Sequence, residues 1–340
     1  RAWGERMMRL SRAGIPTLLL IGNHDIAPAE HRAHTLQEFA TLAVPHIHVA
    51  DKLHLWRPEE LGAPVQVLAL PWVTRSRFLA RHDMSGKTHE DVHDAILERI
   101  YDGLETALTR DVDPSLPLIL TAHASVQGAS YGSERLVMLG QELVLQRGLV
   151  CDPRFDYVAL GHIHKHQSLN EQPPVVYPGS IERIDFGEAH ESKGYVLAEI
   201  ERGRATWRFV PLETRPFIDH PIRLDGADGF MDIIMKQLPS AERIAGAICR
   251  LRLEYPYEQE ALLDERAIRE RFEGAFDLRL VKHRTGDKRV RLPEGIAVES
   301  LSPYELLILH WQTANKSEAE VEALGQLAQE VLGFQAGTKG

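Results

Sequence analysis

The stretch Phe155-Asp156-Tyr157-Val158-Ala159-Leu160-Gly161-His162-Ile163-His164 runs from a mostly apolar segment into a glycine and two histidines one residue apart. A short apolar run of this kind reads as a buried strand, and a strand buried on both faces belongs to the parallel sheet of an α/β protein. In extended geometry His162 and His164 point to the same side. Two other runs end comparably. Residues 17–21 lead into Gly22-Asn23-His24-Asp25, and residues 118–121 lead into Ala122-His123. Three strands each deliver His or Asn-His at their C-terminal ends, and packing alone does not explain that recurrence.

Composition sets the limits. The 340 residues allow two domains, or one large domain with an appendage. With 44% apolar and 26% charged residues the chain can bury an ordinary core. No apolar run reaches the roughly 18 residues of a membrane span. Residues 1–10 lack the basic-then-apolar order of a signal peptide, so no membrane association is expected. Cys151 and Cys249 are the only cysteines, which argues against a disulfide framework and for a reducing, cytoplasmic compartment. Seventeen histidines keep a metal site in view. The net charge of −10 is not that of a general nucleic-acid binder; such contact needs a local Lys/Arg cluster or a metal ion. The chain starts at Arg1 in what reads as the later part of an amphipathic helix with no capping residue, so it is expected to begin inside a larger protein.

In order, residues 1–13 read as helix, 14–16 as a turn, 17–21 as strand and 31–42 as helix. Short strands follow at 46–49 and 65–70. Val92, Ile96, Ile100, Leu104 and Leu108 give residues 89–109 a near-helical spacing. After His164 the grammar changes. Residues 175–177, 194–200 and 205–211 read as strands with no helix between them. They are expected to form a second, largely antiparallel sheet that closes an α/β sandwich. The chain leaves this domain near 214–219. A helix (229–237), a strand (244–253), a helix (259–271) and a strand (278–282) then make a small α+β unit. Residues 302–311 and 317–332 read as amphipathic helices. The expected division is 1–215, 216–295 and a helical tail, 296–340.

Imidazole and amide oxygen suit divalent Mn, Fe and Zn. In two-metal phosphoesterases the ions lie about 3.5–4 Å apart and clamp the attacking and leaving oxygens. His162 and His164 could each serve a different ion. Asn23 and His24 are adjacent and head opposite ways, so one could bind metal while the other faces substrate. Asp25 could accept from the His24 ring and fix its tautomer. Each feature also has an ordinary explanation: a coincidental strand end, a turn with a capping carboxylate, a satisfied core histidine. The conjunction of the three points to a site.

Their order resembles the calcineurin-like metallophosphoesterases. That family's motifs run Asp-x-His, Gly-Asp-x-x-Asp, Gly-Asn-His-Asp/Glu, a lone His and Gly-His-x-His. The last three match Gly22 to Asp25, His123 and Gly161 to His164. The resemblance implies a metallophosphoesterase α/β sandwich with a smaller α+β capping domain and a C-terminal helical tail. It implies that Asn23, His123 and His162 hold one metal ion and His164 the other. It also implies that His24, with Asp25 beside it, acts on the scissile phosphate, and that the nucleophile is a metal-activated water. The first two motifs are absent from these residues, and residues 1–13 resemble the helix after the second. The expectation is therefore poor metal binding and little or no hydrolysis by this chain alone.

Tyr177-Pro178-Gly179-Ser180, the run Arg183 to Glu188, Lys193-Gly194-Tyr195 and Thr214-Arg215-Pro216-Phe217 narrow the resemblance to SbcD-type nuclease subunits. It covers residues 1–215 well and the rest more weakly. It implies two divalent ions, Mn²⁺ foremost, an SbcC-type ATPase partner, double-stranded DNA ends and hairpins as substrate, and a homodimer within a heterotetramer. His166 falls where that group often has Pro and is not counted as a ligand. Arg183 could touch DNA phosphate or pair with Glu188. Between Arg279 and Arg291 lie six Lys/Arg and one Asp, among them Lys282, Arg284, Lys288 and Arg289. This run is either a solvated face or the best local candidate for contacting the DNA backbone. Ser302-Pro303-Tyr304-Glu305 reads as a capping box. Behind it, Tyr304, Leu307, Ile308 and Trp311 form one helical stripe, which could dock on the partner or pack on its own domain. Two competing functions remain: a metallophosphoesterase acting on small phosphodiesters or phosphoproteins, and a non-catalytic scaffold subunit.

Overall fold

The computed structural model describes residues 2–26, 36–79, 86–132, 143–226, 229–286, 301–313 and 316–332. In chain order the elements are α1 (Ala2–Arg12), β1 (Thr17–Leu20), α2 (Gln37–Thr41), β2 (Ile47–Ala50), β3 (His54–Trp56), α3 (Pro58–Leu61), β4 (Gln66–Leu70), α4 (Arg75–Leu79) and α5 (His89–Thr106). There follow β5 (Leu118–His123), β6 (Ser125–Val126), β7 (Val144–Leu145), α6 (Arg147–Val150), β8 (Tyr157–Gly161), β9 (Gln167–Glu171), β10 (Pro174–Tyr177), β11 (Gly194–Glu201) and β12 (Arg204–Pro211). The last are β13 (Phe217–Arg223), α7 (Phe230–Gln237), α8 (Ala241–Ile244), β14 (Ile248–Pro256), α9 (Glu265–Arg271), β15 (Asp277–Thr285), α10 (Pro303–Thr313) and α11 (Glu318–Leu332). The α/β class expected from the sequence is the class observed.

The central sheet has six strands in the order β3-β4-β5-β8-β10-β9. Its inner pairs, β4–β5, β5–β8 and β8–β10, are parallel, and the outer pairs are antiparallel. β4 is buried throughout, as a strand covered on both faces must be. Val92, Ile96, Ile100 and Leu104 make one face of α5 and join Leu68, Leu70, Leu118, Leu120, Val158 and Leu160 in the main core. Thr88 and Asp91 cap that helix reciprocally. β1 and β2 pair in parallel as a separate ribbon. Met7 of α1 packs there with Leu19, Ile21, Leu36 and Ile47.

One expectation is overturned. Residues 174–177 do not join a second antiparallel sheet; β10 lies in the central sheet, parallel to β8. The reading missed β9, a polar strand of Gln, Ser, Leu, Asn and Glu. The chain runs out along β9 and returns along the apolar β10, which slots between β8 and β9. The polar strand thereby takes the exposed edge, which is where a sheet tolerates it. β11 and β12 do form an antiparallel hairpin. Its turn is tied to the sheet by Asp156, whose Oδ1 accepts from Arg202 (2.9 Å) and the Gly203 N–H (2.7 Å) and whose Oδ2 accepts from the Leu118 N–H (2.8 Å).

Two compact units emerge. The first holds residues 1–219, Ile244–Cys249 and Ala275–Asp277; the second holds the remainder. β13, β14 and β15 form a three-stranded sheet with β14 in the middle. Along β14 Cys249, Leu251, Leu253 and Tyr255 are buried in alternation, and the Tyr255 ring meets Phe230 of α7 at 5.6 Å. In the second unit the capping box at Ser302 forms as expected: Glu305 accepts from the Ser302 N–H, and its own N–H bonds the Ser302 hydroxyl. Part of the α10 stripe is covered from within. Gly325 of α11 lies so close that a Cβ there would sit 2.9 Å from the Tyr304 hydroxyl and 3.2 Å from Ile308.

Candidate metal centre

The residues at the ends of β1, β5 and β8 come together. His123 is the last residue of β5, one position earlier than a loop histidine would be. Its Nε2 lies 2.9 Å from the Asn23 side-chain oxygen, and its ring centre lies 5.2 Å from that of His162. Backbone chemistry makes room for it. A Cβ on Gly22 would stand 2.7 Å from the His123 ring, and one on Gly161 would stand 3.1 Å from it. The two glycines flank the imidazole from β1 and β8. They are needed for close approach, a role the motif spacing did not reveal. Burial pushes the His123 pKa down to about 4, with the neighbouring His162 adding to the effect, so the ring is held neutral with a lone pair to give.

Trp72, just beyond β4, closes one side. Its ring centre is 4.9 Å from His162 and 6.0 Å from His123, and its backbone N–H donates to the Ile21 carbonyl at 2.9 Å. That bond joins the β1–β2 ribbon to the central sheet beside the histidines. In the sequence the tryptophan falls just after the strand expected at 65–70, with no role assigned to it. It also borders a cavity of about 1080 Å³ that reaches Leu68, Ile96 and Arg99.

The extended Gly-His-x-His expected from the sequence is corrected. β8 stops at Gly161, and His162 has φ +101°, a conformation that costs a non-glycine residue energy and tends to occur where function demands it. The simple alternation therefore breaks. His162 lies against His123 and Trp72, Ile163 is buried, and His164 engages a different partner. The His164 Nδ1 lies 2.8 Å from Oε1 of Glu188, which is wholly buried.

Among the other candidates, His24 is exposed while Asn23 turns inward. The Asp25 carboxylate accepts from the Gly22 N–H at 2.9 Å and so tightens the turn that presents Asn23. His166 stacks on Phe209 at 4.2 Å and donates to the Tyr177 carbonyl. Arg183 donates to the backbone carbonyls of Glu188, Glu191 and Arg215 and to the Thr214 hydroxyl, so its guanidinium is engaged within the chain. In the second unit Lys282 pairs with Glu260 and Glu265, and Arg284 lies 5.7 Å from the Tyr257 ring. Lys288 and Arg289 lie outside the described residues.

Asn23, His123 and His162 supply an amide oxygen and two imidazoles, a donor set suited to a divalent transition metal. Among the described residues no group of three or more His, Cys, Asp or Glu is arranged to hold a metal ion. The three-ligand set depends on the asparagine. No family model matches the chain.

Proposed function

We propose that this chain carries part of the catalytic centre of a metal-dependent phosphodiesterase, and that the protein is the nuclease subunit of an SbcCD-type complex. The observation that carries this reading is the convergence of Asn23, His123 and His162, from three strand ends, within hydrogen-bond and ring-contact distance. The order of motifs and the stretch from Tyr177 to Phe217 support the narrower assignment, as do the strained backbone at His162 and the depressed pKa of His123. Asn23, His123 and His162 would hold one ion, and His164 would contribute to a second. Mn²⁺ is the ion proposed. Bound ions would offset charge on the phosphoryl oxygens and favour an ionised water as nucleophile. His24, exposed beside the inward-facing Asn23, is free to meet the phosphate or protonate the leaving oxygen. Substrates would be double-stranded DNA ends and hairpins, with an SbcC-type ATPase as partner, a homodimeric nuclease core within the heterotetramer, and the cytoplasm as compartment.

The test is Mn²⁺-dependent cleavage of a hairpin DNA by the intact protein with its ATPase partner. The His24→Gln variant should lose cleavage and keep its metal. Equal loss of metal would remove His24 from the phosphate-facing role. Failure of the intact complex to cleave any phosphodiester in Mn²⁺ would overturn the reading.

A further inference from the structure

The loop from Gly179 to Glu188 is clipped to His164 at both ends. At its start the Ser180 N–H donates to the His164 carbonyl at 3.0 Å. Gly179, at φ +80°, lies so close that a Cβ would stand 2.6 Å from that same oxygen. At its end Glu188, wholly buried, lies 2.8 Å from the His164 ring and accepts from the Ile184 N–H at 3.1 Å. Between these anchors the loop is braced by its own bonds. The Ser180 hydroxyl donates to the Glu182 carbonyl (2.8 Å), the Glu182 carboxylate accepts from the Arg183 N–H (2.9 Å), and Asp185 accepts from the Gly187 N–H (2.6 Å). Arg183 ties the arc to Thr214, Arg215 and Glu191.

On this arc two large apolar side chains face solvent. Ile181 is 69% exposed and Ile184 is 64% exposed. Apolar residues exposed singly are ordinary on protein surfaces. These two lie three positions apart on a loop that cannot draw them out of water without breaking the bonds that brace it. The loop also offers little to a phosphate group. Its one cation, Arg183, has its guanidinium on oxygens of the chain, and its other charged residues, Glu182, Asp185 and Glu188, are acidic. Such a surface suits sugar faces and base edges. Apolar wedges, isoleucine among them, part base steps in DNA-binding proteins.

We propose that Ile181 and Ile184 are the substrate contacts of this loop, packing against an unstacked base at the end of a DNA duplex. The proposal rests on the phosphodiesterase reading above, because the loop meets DNA when the bond to be cleaved lies beside His164. It also reassigns Arg183. That side chain shapes the loop, and the isoleucines touch the nucleotide.

The test uses the intact protein with its ATPase partner and a blunt duplex carrying 2-aminopurine as its penultimate base. Binding is followed first without Mn²⁺. Wild type should raise the 2-aminopurine emission as the base leaves its stack. The double variant Ile181→Ser, Ile184→Ser should leave the emission unchanged and bind about five- to tenfold more weakly, as expected for losing partial burial of two apolar side chains. Leu at both positions should restore most of the affinity and the signal. In Mn²⁺ the Ser variant should show a raised KM with kcat kept. Unchanged affinity and emission in the Ser variant would overturn the proposal, as would loss of the ATPase partner in place of DNA affinity, which would make the isoleucines a protein contact. Cleavage by a complex whose DNA affinity ignores both isoleucines would sink the contact and leave the phosphodiesterase reading standing. Isoleucine-dependent binding by a complex that cleaves nothing in Mn²⁺ would do the reverse.

Discussion

At the scale of single residues the site turns on His123. Its ring is clasped between Gly22 and Gly161, bonded to Asn23 and kept neutral by burial. The histidines and Asn23 were legible in the sequence because chemistry-bearing residues recurred at strand ends. The reason for the glycines was not, because close approach between elements remote in sequence leaves no local pattern. Gly22→Ala should cost about 1–3 kcal/mol in urea denaturation, since the new methyl must displace a packed imidazole. Gly161→Ala, with the longer contact, should cost less; equal costs would contradict the clasp. Folding lowers the pKa of His123 from 6.5 to about 4, so the unfolded chain binds the extra proton first. The stabilisation is present above pH 6.5 and lost as pH falls toward 4, by up to about 3 kcal/mol. His123→Gln should remove that part of the pH slope. A slope that survives the substitution would show that another group carries it.

Elements were read well where their pattern was local and poorly where pairing was remote. The helix at His89–Thr106 and the box at Ser302 followed from spacing and capping chemistry. β9 was missed because a polar edge strand has no apolar signature, and that omission sent β10 to the wrong sheet. His162 and His164 were placed on one extended side, because nothing in Gly-His-Ile-His announces a positive φ at a histidine. The tie between the β11–β12 turn and the sheet was likewise invisible, as it joins Asp156 to residues more than forty positions away. Removing that carboxylate in Asp156→Ala strands three donors, two of them backbone N–H groups, and should cost about 3 kcal/mol. Arg202→Ala removes only the more exposed partner and should cost about 1 kcal/mol. Chemical denaturation of the two variants checks the order.

At the scale of the molecule the sequence pointed to α/β architecture, and it placed the end of the first domain at 215; the first compact unit holds Arg1–Asp219 with two short later segments. The second unit could be outlined from periodicity, while its expected part in DNA recognition and partner binding came from the resemblance, and three of the five basic residues proposed for DNA contact, Arg183, Lys282 and Arg284, have partners within the chain. Function therefore rests on the first unit. There, three strand ends bring together the ligand set proposed for one ion, while His164 stands with a separate, buried support. A Mn²⁺ titration of the chain, following the free-ion signal by electron paramagnetic resonance, bears on this most directly. Wild type should bind a single ion weakly, His123→Ala and His162→Ala should each abolish that binding, and His24→Gln should retain it. Binding indifferent to His123 and His162, or two tightly held ions per chain, would contradict the assignment.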